Sequence, residues 1–217
     1  MVPNGVDREL FAVRPEASGL RSEYGLGDAF VCSYLGTIGM GCGLSVVLRA
    51  AHILRESGRN DIKFLLVGDG AVREELEQRA RDENLRLHVV FTGRQPKSRM
   101  PEFLSTSDAC FVHLSQNDHF RTVMPSKIFE AAAMAKPIIL GVEGFAADLV
   151  ERAGAGICIQ PENERELVGA VERLAGDRKL ARELGAAGHE RIGIQFDYDE
   201  LAKRYLGLLD ASRRRTN

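Results

Sequence analysis

A cation and a carboxylate stand three residues apart at the start of a predicted helix. Lys127 and Glu130 follow Pro125 and Ser126, and the helix is predicted to run to about Ala135. A proline near the first helical position sets the start and leaves backbone amides free. The spacing of three puts both charged side chains on one helix face. This combination suits a nucleoside diphosphate, with Lys127 and the amides on phosphates and Glu130 accepting from ribose hydroxyls.

The alternative for this pair is an exposed salt bridge, which is the usual role of charge pairs on helices. The segment around and beyond Glu130 is nearly all apolar, with Phe129, three alanines and Met134. A carboxylate in a helix suited to burial needs a partner. The sequence therefore favours a ligand over a solvated pair.

Glycine-rich turns follow the first two predicted strands. Gly36, Thr37 and Gly39 begin the first turn, where backbone amides can approach an anion. The spacing is not a dinucleotide fingerprint, because Leu44 stands where the third glycine belongs, and no Gly-Lys-Ser/Thr ending follows. A tight turn without a ligand remains the competing interpretation.

The second turn places an acid between two glycines, Gly68 and Gly70. Asp69 could hold a ribose, as in nicotinamide-dependent enzymes, or cap the next helix. The turn alone does not separate these roles.

Composition excludes several classes of protein. The 217 residues carry 29 Lys and Arg against 31 Asp and Glu, a net charge of −2, which argues against nucleic-acid binding. No apolar run approaches a membrane span, and the N-terminus lacks a signal-peptide pattern, so we expect a cytoplasmic protein. The four cysteines form no C-x-x-C pair and are expected to be core thiols. His113 and His119 are expected in a polar loop, and no metal site is predicted.

Short apolar runs alternate with helical segments along the chain. This pattern predicts a doubly wound α/β domain with a Rossmann-like parallel sheet of about six strands and its ligand at the carboxyl ends of the strands. The predicted division is an entry segment at 1–27, the domain at 28–195, and a C-terminal helix with a basic tail at 196–217. The predicted strands are 29–35, 63–67, 87–92, 109–114, 137–142 and 156–160.

Seven short motifs, taken in their order along the chain, resemble the donor-binding half of retaining glycosyltransferases of the GT-B architecture, in family 4. The resemblance covers almost the whole chain. Its pieces are V-P-N-G-V-D at 2–7, Y-L-G-T-I-G at 34–39, L-V-G-D-G at 66–70, F-T-G at 91–93, S-D-A-C-F-V at 107–112, E-A-A-A-M-A-K-P-I-I at 130–139 and F-D-Y-D-E-L-A at 196–202. The segment M-P-S-K-I-F-E is most similar to the surface-polysaccharide branch, which includes N-acetyl-fucosaminyl transferases.

The resemblance implies roles for individual residues. Glu130 matches the second glutamate of the family's E-x7-E motif, which holds the ribose, whereas Thr122 stands where the first glutamate belongs. Thr37 and glycines replace the basic residues that clamp the diphosphate in many members, and Lys127 is expected to compensate. The base is expected beside three consecutive residues. These are Gly93, Arg94 and Gln95.

The resemblance also implies what lies outside the chain. UDP or a UDP-sugar is the expected ligand, with no metal or other cofactor. The acceptor would bind an N-terminal domain or partner subunit, so this chain alone is expected to be inactive. Any peripheral membrane association would involve that half, and an apolar stripe on the last helix predicts self-association. The alternatives are a non-catalytic nucleotide-sugar-binding subunit or a nicotinamide-dependent oxidoreductase using Asp69.

Overall fold

The computed structural model describes residues 4–17 and 19–215, with side chains up to residue 208. Parts of the predicted entry motif and basic tail, and the side chain of Leu209 in the predicted stripe, lie outside the described residues. Within them, six parallel strands form one sheet in the order β3-β2-β1-β4-β5-β6, which confirms the predicted fold class. The strands are β1 (Phe30–Leu35), β2 (Ile62–Val67), β3 (Val89–Gly93), β4 (Ala109–His113), β5 (Ile138–Gly141) and β6 (Gly156–Cys158).

Helices cover both faces of the sheet, so the side chains of the central strands β1, β4 and β5 are buried on both faces, whereas β3 and β6 at the edges are partly exposed. Along β1, Phe30 and Tyr34 belong to one core, and Val31 and Leu35 to the other. This is why the central strands are apolar throughout rather than alternating. The helices are α1 (Leu20–Glu23), α2 (Ser45–Glu56), α3 (Arg73–Asp82), α4 (Met100–Thr106), α5 (Ser126–Ala133), α6 (Phe145–Ala153), α7 (Glu164–Gly176), α8 (Arg178–Gly188) and α9 (Tyr198–Arg215).

Short helical turns occur in the connections. Three 3-10 turns span Met40–Cys42, Lys97–Arg99 and Asp118–Thr122, and a π-helical turn spans His189–Gly193 after α8. The first and third follow β1 and β4, which are neighbours in the sheet. The chain passes to opposite sides of the sheet from these two strands, and ligands of doubly wound folds bind at such a switch point.

The structure differs from the sequence-based expectations in four places. Helix α6 was not predicted, and α9 continues to Arg215 instead of ending near residue 209. His113 is the last residue of β4 and is buried, so its expected place in a polar loop was wrong. Cys32 and Cys110 are buried as expected, whereas Cys42 and Cys158 are partly exposed, and all four are free thiols.

The entry segment is hydrogen-bonded to the chain where α9 begins. The Val6 amide donates to the Phe196 carbonyl oxygen at 2.9 Å, and the Tyr198 amide donates to the Val6 carbonyl oxygen at 3.0 Å. These bonds join the entry segment to the beginning of α9. No helix in the described part of the chain is long and apolar enough to cross a membrane.

Candidate functional site

The turns after β1, β2 and β3 lie side by side and are hydrogen-bonded to one another. The Ile38 amide donates to the Asp69 carbonyl oxygen at 2.9 Å, and the Gly68 amide donates to the Gly93 carbonyl oxygen at 3.1 Å. Gly68 has φ +140°, and a Cβ there would lie 2.0 Å from the Gly36 carbonyl oxygen. Glycine is therefore required for the two turns to approach this closely.

The first turn presents several backbone amides without acceptors. Among the described residues, no hydrogen-bond acceptor is found for the amides of Thr37, Gly39, Met40 and Gly41. A side chain of β1 fixes the position of the turn, because the Tyr34 hydroxyl donates to the Thr37 carbonyl oxygen at 2.7 Å. Successive unpaired amides in a glycine turn form an anion-binding concavity.

A cavity of about 570 Å³ opens beside these turns. It collects six of the residues that the sequence assigned to the donor site, and two neighbours. The lining consists of Gly36, Thr37, Gly68, Asp69, Gly70, Arg94, Gln95 and Met100.

Helix α5 delivers the predicted cation to the same place. Pro125 is the N-cap residue, and the helix begins at Ser126, one residue later than the sequence suggested. The Lys127 Nζ lies 4.9 Å from the centre of the Tyr34 ring. A Cβ on Gly36 would lie 2.9 Å from Lys127 Cε and 3.1 Å from its Nζ. The lysine stem therefore occupies the space that a side chain at position 36 would take, and its ammonium lies against the glycine turn.

The Glu130 carboxylate is mostly buried and has no ion-pair partner among the described residues. Its distance from Lys127 exceeds the 4.0 Å limit of an ion pair, so the alternative of an exposed Lys127–Glu130 salt bridge is not observed. Burial raises the pKa of the Glu130 carboxyl above its ordinary value, and the charges of Lys127 and Lys97 act in the opposite direction. A buried carboxylate without a bonded partner is typical of a group that awaits a ligand.

Asp69 is already engaged by its own segment. Its Oδ1 accepts from the Gly70 amide at 2.9 Å and from Arg73 Nε at 2.8 Å. The hydrogen bond from Arg73 is the main reason that the pKa of Asp69 is lowered. The N-cap of α3 is Val72, so Asp69 does not cap that helix in the sense expected. Its second carboxylate oxygen faces no bonded partner among the described residues.

The residues assigned to the base differ in their freedom. The Gln95 side chain donates to the Thr92 carbonyl oxygen at 3.2 Å and accepts from Arg99 at 3.1 Å, so its amide is oriented. Arg94 is exposed at the cavity wall. Gly93 has φ +69° and does not line the cavity, but its carbonyl oxygen accepts from the amide of Gly68, which does.

Thr122 lies apart from this group. It is exposed at the end of the Asp118–Thr122 turn, and its hydroxyl is 3.4 Å from the His119 carbonyl oxygen. A second, polar cavity of about 570 Å³ adjoins that turn. Its lining consists of Gln116, Asn117, Asp118, His119, Arg121 and Glu143.

Two residues that contact the site were missed by the sequence analysis. Tyr34 supports the Thr37 carbonyl from within β1, and His113 bonds the segment after the first turn, with its Nδ1 2.7 Å from the Cys42 carbonyl oxygen. Both lie in strands among apolar residues, so local spacing gives no sign of their role. In the described residues no cluster of three or more His, Cys, Asp or Glu side chains could hold a metal ion.

The chain is similar in sequence to known proteins. Residues 21–191 match the family model described as glycosyl transferases group 1. Alpha-D-kanosaminyltransferase of Streptomyces kanamyceticus is 29% identical over 196 residues, 81% of this chain and 47% of that protein. GDP-mannose-dependent alpha-(1-6)-phosphatidylinositol monomannoside mannosyltransferase of Mycolicibacterium smegmatis is 30% identical over 215 residues, 98% of this chain and 56% of that protein.

The fold is also shared with a solved structure. The crystal structure of Anabaena HepE in complex with UDP and glucose superposes with a TM-score of 0.82 and 21% identity, over 96% of this chain and 56% of that one. The chain spans about half the length of each of these relatives.

Proposed function

The chain belongs to the glycosyl transferases group 1 family, and we propose that it is the half of a retaining glycosyltransferase that binds the nucleotide-sugar donor. One observation carries the proposal. The unpaired amides of the Gly36 turn and the ammonium of Lys127 lie against each other at the switch point of the sheet, and the mostly buried Glu130 carboxylate follows Lys127 by three residues on the same helix.

Each group has a role that its chemistry supports. The turn amides and Lys127 bind the diphosphate and stabilise the charge that develops on it when the sugar leaves. Glu130 accepts hydrogen bonds from the ribose hydroxyls, which are neutral donors suited to a buried carboxylate. The base lies beside Gly93, Arg94 and Gln95, of which Arg94 and Gln95 line the cavity.

The proposed donor is a UDP-sugar used in surface-polysaccharide or O-antigen synthesis. The name of the HepE structure includes UDP, whereas the name of the mycobacterial relative specifies GDP-mannose. The N-acetyl-fucosaminyl branch is proposed from the segment M-P-S-K-I-F-E together with G-T-I-G. The donor base and the donor sugar are therefore separate points to test.

Sugar transfer is proposed to require more than this chain. The relatives are about twice as long, and the described residues form one sheet with one switch point. An N-terminal acceptor domain or a separate partner chain would supply the acceptor site.

Isothermal titration calorimetry with UDP, GDP, uridine and NAD tests the proposal. We expect UDP to bind most tightly, uridine more weakly because it lacks the diphosphate, and NAD not to bind. Tighter binding of GDP would refute the uridine assignment and leave the donor role intact. Binding of NAD without binding of either diphosphate would support the oxidoreductase alternative. Transfer of sugar by the purified chain alone would contradict the requirement for a second half.

A further inference from the structure

The His113 imidazole, at the end of β4, joins the first glycine turn to the loop at Glu162. Its Nδ1 lies 2.7 Å from the Cys42 carbonyl oxygen, and its Nε2 lies 2.8 Å from the Glu162 amide nitrogen. A carbonyl oxygen can only accept and an amide can only donate, so Nδ1 carries the proton and Nε2 is bare. The two partners together fix one neutral tautomer.

The ring has little freedom to move. Only 2% of His113 is exposed, and the ring stacks on Phe111 with centres 5.2 Å apart. A Cβ on Gly43 would lie 2.9 Å from its Cε1, and a Cβ on Gly141 would lie 2.3 Å from its Cδ2. Two glycines thus make the space that the imidazole occupies. Burial lowers the pKa of His113, so the ring stays neutral near pH 7.

The loop on the far side of the ring is itself held in an unusual conformation. Glu162 has φ +61°, which is uncommon for a residue with a side chain. Arg49 donates to its carbonyl oxygen at 2.9 Å, and its carboxylate accepts from the Gln116 amide at 2.9 Å. With the bond from its amide to His113, Glu162 makes three hydrogen bonds to other segments, so the partner of the imidazole is itself fixed in place.

The first turn is also anchored at the preceding carbonyl. The Ser115 amide and hydroxyl both donate to the Gly41 carbonyl oxygen, at 2.9 Å and 3.2 Å. Two consecutive carbonyls, those of Gly41 and Cys42, are therefore bonded to the segment that ends β4. The amides without acceptors among the described residues lie just before these carbonyls, at Gly41, Met40, Gly39 and Thr37.

We propose that His113 is a positioning residue for donor binding, which holds the glycine turn in the shape that presents its free amides to the diphosphate. This inference rests on the proposed function. A turn rich in glycine loses much conformational freedom when it becomes ordered, and a support that orders it beforehand removes that cost from ligand binding. His113 acts through the Cys42 carbonyl and need not touch the nucleotide.

The test compares His113→Leu with His88→Leu by calorimetry against UDP and uridine. His88 is a matched control, because it is buried to 1% exposure and precedes β3, at the opposite end of the strands from the site. Loss of an oriented hydrogen bond predicts that His113→Leu weakens UDP binding about tenfold and leaves uridine binding within about threefold. His88→Leu should leave both affinities unchanged. His113→Gln, which keeps a donor and an acceptor in one planar group, should recover most of the UDP affinity.

A second variant covers the case in which His113→Leu does not fold. Gly141→Ala keeps the histidine but places a methyl group against Cδ2, so the ring must shift and the same UDP-selective loss is expected. Full UDP affinity in the folded His113 variant or in Gly141→Ala would overturn the positioning role. An equal loss for UDP and uridine would also overturn it, because that would show a general structural effect. Failure of the wild-type chain to bind any nucleotide would instead refute the proposed function, and this inference with it.

Discussion

Replacement of Glu130 by glutamine should weaken ligand binding and stabilise the empty protein at the same time. Glutamine keeps the size of the side chain and removes its charge. In the empty site the carboxylate is mostly buried without an ion-pair partner among the described residues, and burial raises its pKa. A folded-state pKa above the unfolded value means that the ionised group costs stability at pH values above both. This cost disappears in Glu130→Gln.

The structure sets the expected size of each effect. Hydrogen bonds to a charged acceptor contribute about 1.5–3 kcal/mol, so UDP affinity should fall by roughly 10- to 150-fold. Relief of the buried charge should raise the melting temperature by a few degrees, since about 1 kcal/mol corresponds to roughly 2–4 °C in a domain of this size. At pH values below the unfolded pKa of about 4.3 the stability difference should vanish, because both states then carry a protonated carboxyl.

Calorimetry with UDP and differential scanning calorimetry at two pH values measure the two effects. Glu75→Gln is the matched control, because Glu75 is exposed on α3, away from the cavity lining. It should leave UDP affinity unchanged and lower the melting temperature slightly, since a carboxylate in the first turn of a helix stabilises that helix. Unchanged UDP affinity in folded Glu130→Gln would refute the ribose assignment. A lower melting temperature near pH 7 would show that the carboxylate has a stabilising partner in the empty site, contrary to the argument above.

Three further predictions concern other parts of the molecule. Lys127→Ala should weaken UDP binding strongly and uridine binding little, because only the diphosphate carries the charge; equal losses in calorimetry would make the lysine structural. Burial lowers the pKa of His88, so the free energy of unfolding should decrease as pH falls below about 6.5, by at most about 1.4 kcal/mol per pH unit. Urea titrations should therefore give a difference in unfolding free energy between the wild type and His88→Leu that changes between pH 5 and pH 8. The same difference at both pH values would refute this. Tyr205 and Leu208 on α9 are 48% and 68% exposed, so the isolated chain should self-associate and the double change to lysine should make it monomeric; a monomeric wild type in sedimentation would contradict this.

The sheet was predictable because its central strands are buried on both faces. The central strands are therefore nearly continuous apolar runs, and six short runs with helices between them leave few alternatives to a doubly wound sheet. Helix α6 was missed although its buried positions, Ala146, Val150 and Ala153, fall at helical spacing. It begins directly after Gly144, whose φ of +72° is typical of a turn.

The candidate site was predictable where one short segment carries the chemistry. The glycine turns and the pair of Lys127 and Glu130 are local patterns, and the resemblance to a known family added the order in which they occur. The contact between Gly36 and Lys127 depends on the crossing of chain segments far apart in sequence. The two hydrogen bonds of His113 also join segments far apart in sequence, so no pattern of residue spacing could have predicted them.

The close fit of Gly36 and Lys127 has an evolutionary consequence. The lysine stem fills the space that a side chain at position 36 would take, and Gly36 itself has φ +124°, a conformation that favours glycine whatever the space. A side chain at position 36 would therefore strain the turn and displace the ammonium from it. Homologues that carry lysine at the position of Lys127 should keep glycine at the position of Gly36.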